Sequence, residues 1–222
     1  PVTVITDNID NTLSSDYQFD NVIYTSSDHT NFKDNKVWLN KGRYQAFEDS
    51  PYDETLLLDT DYLINSDTLL RVFDIYEDFM CHRSTSFLLE PDLKQEIISK
   101  YSFNTLWATV IAFKKTEKTR QLFDCLRMVQ DNYSHYSRIY NFHDGIYRND
   151  YGLTIALHIV NGNTEDERNY IPWNLVHLDK HFNAEKLGDT EYKISNDKQY
   201  IILKDTDFHL MNKETFMELV SE

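Results

Sequence analysis

The chain is poor in the residues and runs that several protein classes require. Its two cysteines, Cys81 and Cys125, are too few for a disulfide framework and indicate a reducing compartment. No apolar run reaches the roughly 18 residues of a membrane helix, and no apolar leader opens the chain, so we expect a soluble, cytoplasmic protein. Only five glycines are present, without a P-loop or a G-x-G-x-x-G pattern. Any bound phosphate would therefore be held by side chains and a metal ion.

Basic residues are also scarce. Lysine and arginine number 22 against 37 aspartates and glutamates, which gives a formal net charge of −15. Such a surface repels nucleic-acid phosphates and anionic membranes. A local basic pocket remains compatible with it, and the simplest interpretation of the charge is solubility.

Apolar and aromatic residues are abundant enough for a packed core, with 41% hydrophobic residues. Strands alternating with helices and the absence of a low-complexity linker predict one mixed α/β domain over residues 1–222. The predicted strands cover 1–7, 21–25 and 107–113, with a hairpin of 191–194 and 200–203. The predicted helices cover 37–47, 66–79, about 118–140, 150–160 and 213–220, and the pattern breaks at 171–174.

The most informative stretch runs from Thr55 to Ile64, where an apolar strand pattern meets two carboxylates. The apolar run is typical of a strand buried on both faces, as in a parallel sheet. Residues i and i+2 of an extended chain point to the same side, so Asp59 and Asp61 can converge on one hard cation, Mn²⁺ or Mg²⁺. The alternative is an Asp-rich turn that caps a strand.

The segment from Ser50 to Asp61 resembles the D-x-D segment of GT-A-fold glycosyltransferases, above all glycogenin-like family 8 enzymes and related bacteriophage-type proteins. The resemblance implies that Asp59 and Asp61 hold Mn²⁺, which bridges the diphosphate of a nucleotide-sugar donor. It also places Arg43 where family members carry a basic residue that faces the donor. The alternative for Arg43 is a solvated surface arginine.

Two later segments extend the resemblance. The segment 148–153 resembles the family's Asp-Gln-Gly-Leu block, which implies that Asp150 lies beside the transferred sugar. Tyr151 stands where glutamine is usual in the family. The alternative role for Asp150 is that of a helix N-cap. The segment 207–213 resembles the late His-Phe-x-Gly-x-x-Lys-Pro-Trp block. It implies that His209 is the third metal ligand and that Lys213 contacts the diphosphate, although the lysine is offset and the Pro-Trp pair is absent. A structural role is the alternative for His209.

The remaining histidines show no ligand spacing: His29, His82, His135, His143, His158, His177 and His181. Trp107 belongs to a strand that resembles the family's central strand, and we expect it in the core rather than in the site. An Asp, Asp, His set favours Mn²⁺ over Mg²⁺, because imidazole prefers the softer ion.

The resemblance covers residue 1 to about residue 216 and implies a GT-A, Rossmann-like mixed sheet flanked by helices. The family's first strand and helix have no counterpart here, so we expect an N-terminally truncated chain. The implied activity is transfer of a sugar from a nucleoside diphosphate sugar, UDP-linked and with retention of configuration, in the cytoplasm (of the host, if phage-encoded). The acceptor could be a saccharide, a protein or modified DNA.

Other functions stay open. The GT-A scaffold could serve as a non-catalytic module that binds a sugar nucleotide or a protein. A metal-dependent nuclease is disfavoured by the charge of −15. A DNA-modifying transferase would need a basic face, for which the sequence offers one cluster that is also interpretable as a solvated helix face: Lys33, Lys36, Lys41 and Arg43.

Overall fold

The chain folds into several small sheets flanked by helices. The computed structural model describes residues 1–6, 10, 17–25, 32–33, 36–37, 42–90, 104–142 and 146–221. In chain order, the strands of this part are β1 Thr3–Thr6, β2 Asn21–Tyr24, β3 Phe32–Lys33, β4 Lys36–Val37, β5 Glu54–Leu58, β6 Tyr62–Leu63, β7 Phe79–His82, β8 Thr85–Ser86, β9 Trp107–Lys114, β10 Leu175–Leu178, β11 Asn183–Lys186, β12 Glu191–Ser195, β13 Tyr200–Lys204 and β14 Phe208–Leu210. The helices are α1 Ala46–Asp49, α2 Val72–Ile75, α3 Glu117–Asp131, α4 Tyr133–Ile139, α5 Asn149–Val160 and α6 Lys213–Ser221, with 3₁₀ turns at Arg43–Gln45, Thr68–Arg71 and Glu167–Asn169.

The central sheet has the order β5-β9-β7, and β9 runs antiparallel to both neighbours. Successive side chains of a strand point to opposite faces, so β9 supplies two separate clusters. Ile111 and Phe113 enter the large core that α3 and α5 cover, whereas Val110 and Ala112 join the smaller core around Val72. The residues of β9 from Ala108 to Phe113 are therefore buried on both faces of the strand.

A second sheet has the order β6-β14-β10-β8. Within it, β10 runs parallel to β14 and β8, and β6 runs antiparallel to β14. Phe208 and Leu210 of β14 pack into a third core with the meander β11-β12-β13 and with α6. Elsewhere, β1 pairs with β2 in parallel and β3 pairs with β4 antiparallel. The chain is therefore a mixed α/β protein with parallel and antiparallel sheets.

Several sequence predictions are confirmed within one to three residues: β1, β2, β9, α5, α6 and the β12-β13 hairpin, together with the break at 171–174. Asp7, the last residue of the first predicted strand, lies outside the described residues. The helix predicted over 118–140 is two helices, α3 and α4. The interruption is at Asn132, whose φ and ψ are −115 and 28 and whose side-chain amide donates to the carbonyl of Met128. Asparagine side chains compete in this way with the helical backbone.

The helix predicted over 37–47 is wrong in its first part. Val37 pairs with Phe32 in the β3-β4 hairpin, and 38–41 lie outside the described residues. Helical structure begins at Arg43, after Gly42 with a φ of 104. This left-handed conformation, which glycine adopts at little cost, prevents a right-handed helix from running through.

The helix predicted over 66–79 is also wrong at its end. It is a 3₁₀ turn followed by α2, which ends at Ile75, and Phe79 begins β7. Phe79 lies opposite Phe113 of β9 and is almost completely buried. Pairing with β9 therefore outweighs the helical spacing of the apolar residues.

The apolar run before Asp59 does form a strand, β5, but not one inside a parallel sheet. Among the described residues β5 pairs only with β9, and in antiparallel orientation, so its leucines are half-buried. The helices of the described ranges are all too short or too polar to cross a bilayer.

Candidate functional site

A cleft of about 810 Å³ lies where the central sheet meets the second sheet. Its lining includes every residue to which the family resemblance assigns a role: Arg43, Asp59, Asp61, Asp150, His209 and Lys213. These residues come from four separated stretches of the chain. The fold therefore brings together side chains that the sequence connects only through a family resemblance.

The two carboxylates lie on a turn that links β5 to β6. The backbone amide of Asp59 still donates to the carbonyl of Thr109, at 3.0 Å, as in a continuing strand pair. The amide of Tyr62 then donates to the carbonyl of Asp59, at 3.2 Å, and reverses the chain. The expectation of an extended D-x-D segment is therefore wrong. The carboxylates converge because the turn folds them toward each other.

Strand pairing carries His209 to the same point. β14 lies beside β6, and the amide of Leu210 donates to the carbonyl of Asp61, at 3.0 Å. The Nε2 atom of His209 lies 3.2 Å from Oδ1 of Asp61. On its other side, Nδ1 of His209 lies 3.0 Å from Nδ1 of His177, its register partner on β10.

The three side chains fit a single cation. One potential ligand atom from each of Asp59, Asp61 and His209 lies within 4.8 Å of the other two. With ligand bonds of 2.0–2.6 Å, atoms on opposite sides of one hard cation are about 4–5 Å apart. Two carboxylate oxygens and one imidazole nitrogen suit Mn²⁺ better than Mg²⁺.

Arg43 is held inside the protein. Its guanidinium forms an ion pair with Oδ1 of Asp59, and Nη1 donates to the carbonyl of Ala108, at 2.7 Å. The side chain is 9% exposed, so the alternative of a solvated surface arginine is excluded. Arg43 thus ties one of the two turn carboxylates to the start of β9.

Asp150 is attached to the same residue of β9, Ala108. Its Oδ1 accepts a hydrogen bond from the amide of Ala108, at 2.9 Å, and its Oδ2 lies 3.4 Å from Nη2 of Arg148. The N-cap of α5 is Arg148, so Asp150 lies in the first helical turn and the N-cap alternative is excluded. Ala108 therefore connects Arg43 with Asp150 through its carbonyl and its amide.

Close packing behind Asp150 explains the glycine that follows it. A Cβ atom at Gly152 would clash with the ring of Tyr147, which is buried and lines the cleft. Gly152 therefore lets the tyrosine ring lie against the first turn of α5.

The titratable groups of the cleft have unequal environments. Burial raises the pKa of Asp59, and the charges of Arg43 and His209 offset part of that effect. Burial also acts to raise the pKa of Asp61, but the hydrogen bond and charge of His209 outweigh it and leave that pKa below its usual value. Burial, and then His209, lower the pKa of His177 to about 4.

The charges along the cleft balance, although the chain as a whole is acidic. Its charged lining consists of four basic side chains and four carboxylates, besides His209: Arg43, Arg148, Lys180 and Lys213, with Asp59, Asp61, Asp150 and Glu214. A divalent cation would give this surface a positive excess, which suits a diphosphate.

Three parts of the site were missed or misplaced by sequence reasoning. Trp107 lines the cleft and is half-buried, rather than a core residue alone. Lys180 lines the cleft as an exposed side chain, as does Lys213. His177 has no ligand spacing in the sequence, and only the pairing of β10 with β14 brings it to His209.

The basic cluster proposed for a DNA-binding face is left without support. Lys41 lies outside the described residues, and the side chains of Lys33 and Lys36 are not described. Arg43, its remaining member, points inward to Asp59.

Comparisons with known proteins return nothing for this chain: no family model, no curated protein and no solved structure matches it.

Proposed function

We propose that this protein is a metal-dependent glycosyltransferase with a GT-A fold, which moves a sugar from a nucleoside diphosphate sugar, UDP-linked, to an acceptor in the cytoplasm. One observation carries the proposal: the candidates from separate sequence blocks, Asp59 and Asp61, Asp150, and His209, line the same cleft. Unrelated surface residues would have no reason to meet there.

The proposed roles follow from the contacts. Asp59, Asp61 and His209 would hold Mn²⁺, whose charge would stabilise the departing nucleoside diphosphate. Arg43 is already engaged by Asp59 and the carbonyl of Ala108, so we assign it to orienting that carboxylate. Lys213, exposed in the cleft, is free to reach a diphosphate.

Asp150 would position the transferred sugar or the acceptor. Its Oδ1 is held by the amide of Ala108, which fixes the direction of the carboxylate at the cleft surface. A fixed carboxylate can accept hydrogen bonds from sugar hydroxyls at defined positions. The acceptor itself is unassigned, because the loops that select acceptors vary within a fold.

The first experiment measures binding and turnover together. We expect UDP with Mn²⁺ to raise the melting temperature of the wild type. In a screen of several nucleotide-sugars with Mn²⁺, we also expect the wild type to hydrolyse at least one donor. Asp61→Ala should lose both signals, since it removes a metal ligand, while the matched control Asp74→Ala changes an exposed aspartate of α2 and should keep them.

Each outcome has a separate meaning. If no nucleoside diphosphate shifts the melting temperature, with or without metal, the proposal is wrong. Binding that depends on Asp61 without turnover of any sugar nucleotide would instead support the non-catalytic module.

A further inference from the structure

The two adjacent histidines, His177 and His209, share one hydrogen bond. They are register partners on the parallel strands β14 and β10, and each is 7% exposed. Their Nδ1 atoms are 3.0 Å apart. Since a neutral imidazole has one N–H donor and one acceptor nitrogen, one ring must donate this bond and the other must accept it.

The direction of the bond decides whether His209 can bind a cation. Its Nε2 faces the carboxylates, 3.2 Å from Oδ1 of Asp61, and a bound cation would replace the hydrogen bond between these two atoms. A nitrogen that ligates a metal offers a lone pair, so its proton must be on the opposite ring nitrogen. For His209 that nitrogen is Nδ1, and the acceptor within reach is Nδ1 of His177.

The surroundings of His177 hold its ring in place. The Trp107 ring lies 4.7 Å from it, centroid to centroid, and the Phe87 ring lies edge-on at 6.1 Å. His177 does not belong to the lining of the cleft, so it would act on a bound ion only through His209.

We propose that His177 is a positioning residue for the metal site: its Nδ1 accepts a hydrogen bond from the Nδ1–H of His209, which presents the Nε2 lone pair of His209 to the cation. This inference rests on the proposed function for the identity of the ligands. It adds a residue to the site that contributes no atom to the metal. Outer partners of this kind change metal affinity by about 10–100-fold when they are removed.

Two substitutions separate the hydrogen bond from packing. His177→Asn keeps an acceptor oxygen near the position of Nδ1, and His177→Leu keeps apolar bulk without an acceptor. Titration with Mn²⁺ alone, followed by electron paramagnetic resonance, measures affinity without any sugar nucleotide. We expect His177→Leu to bind about 10–100-fold more weakly than the wild type and His177→Asn to recover most of the loss. Equal affinity of all three proteins, or an equal loss in both variants, overturns the proposal.

A second measurement uses the wild type only and so does not depend on how the variants fold. Nitrogen-15 NMR of the protein saturated with Mg²⁺ should show His209 protonated at Nδ1 and not at Nε2. The opposite tautomer overturns the proposal. The proposed function has its own failure: Mn²⁺ binding with the expected pattern but no effect of any nucleoside diphosphate would reject the glycosyltransferase and keep the role of His177. A wild type that binds neither cation would reject both.

Discussion

The two walls of the cleft are built in different ways. The ligand wall, defined as Asp59, Asp61 and His209, gathers two carboxylates and an imidazole within 4.8 Å. The supporting wall, defined as Arg43, Ala108, Asp150 and Arg148, is linked internally, since the carbonyl and the amide of Ala108 bind the side chains of Arg43 and Asp150.

The difference indicates how the cleft could receive a charged ligand and keep its shape. In the ligand wall, two carboxylates converge beside the charges of Arg43, His209 and Lys213, an arrangement that a cation would improve. In the supporting wall, cations and acceptors already satisfy one another. Arg43 belongs to the supporting wall but also pairs with Asp59, so it is the connection between the two.

The largest effect should come from breaking this connection. Arg43→Ala leaves the carboxylate of Asp59 partly buried without its partner, and removing one member of a buried ion pair costs about 3–5 kcal/mol of unfolding free energy. Urea unfolding of the metal-free protein measures the loss.

A second substitution tests the cause of that loss. Arg43→Ala combined with Asp59→Asn removes the unpaired charge, so the double variant should be more stable than Arg43→Ala alone. A double variant that is less stable than the single one would mean that Arg43 acts through packing rather than through its charge.

Sequence patterns predicted the elements whose own residues indicate that they are buried. β9 is mostly apolar and so is α5 after its first two residues, so their burial is visible in the residues themselves. β10 and β14 were not predicted as strands, since they are only four and three residues long and their pairing joins distant parts of the chain. The position of Phe79 in a strand likewise depends on Phe113, a residue far along the chain.

The site shows the same division. Asp59 and Asp61 are visible from sequence because they are two positions apart beside an apolar run. Their convergence through a turn is decided by backbone hydrogen bonds to Thr109 and from Tyr62, which no local pattern reveals. His177 has no local signal at all. Its role depends on strand register, a property of the folded sheet.

An intermediate effect should come from His82, behind the supporting wall, as a dependence of the unfolding free energy on pH. His82 of β7 lies opposite Trp107 at the start of β9, is 1% exposed, and has a pKa lowered to about 4 by burial. An unfolded histidine takes up a proton near pH 6.5. The unfolded state therefore binds more protons as the pH falls from about 6.5 toward 4, and the unfolding free energy decreases over that window.

Because of His82, the unfolding free energy should be about 1 kcal/mol lower at pH 5.5 than at pH 7.5. His82→Leu removes it, so the decrease between these two pH values should be smaller in the variant than in the wild type by that amount. Urea unfolding of both proteins at both pH values measures this difference. The contributions of His177 and the carboxylates cancel in it, because both proteins contain these groups. An identical decrease would mean that His82 takes up its proton to the same extent in the folded and the unfolded protein.

The smallest effect should come from the outer end of the supporting wall. The Arg148 side chain is 48% exposed, pairs with Asp150 at 3.4 Å, and lies over the ring of Tyr151. Exposed ion pairs contribute less than about 1 kcal/mol, so Arg148→Ala should barely change unfolding by urea. Its Mn²⁺ affinity should stay within about twofold of the wild type, as for most surface substitutions. If Arg148→Ala lost as much stability as Arg43→Ala, the supporting wall would be one cooperative network from Asp59 to Arg148. Its separation from the ligand wall would then be wrong, since any change at its exposed end would reach the proposed metal ligands.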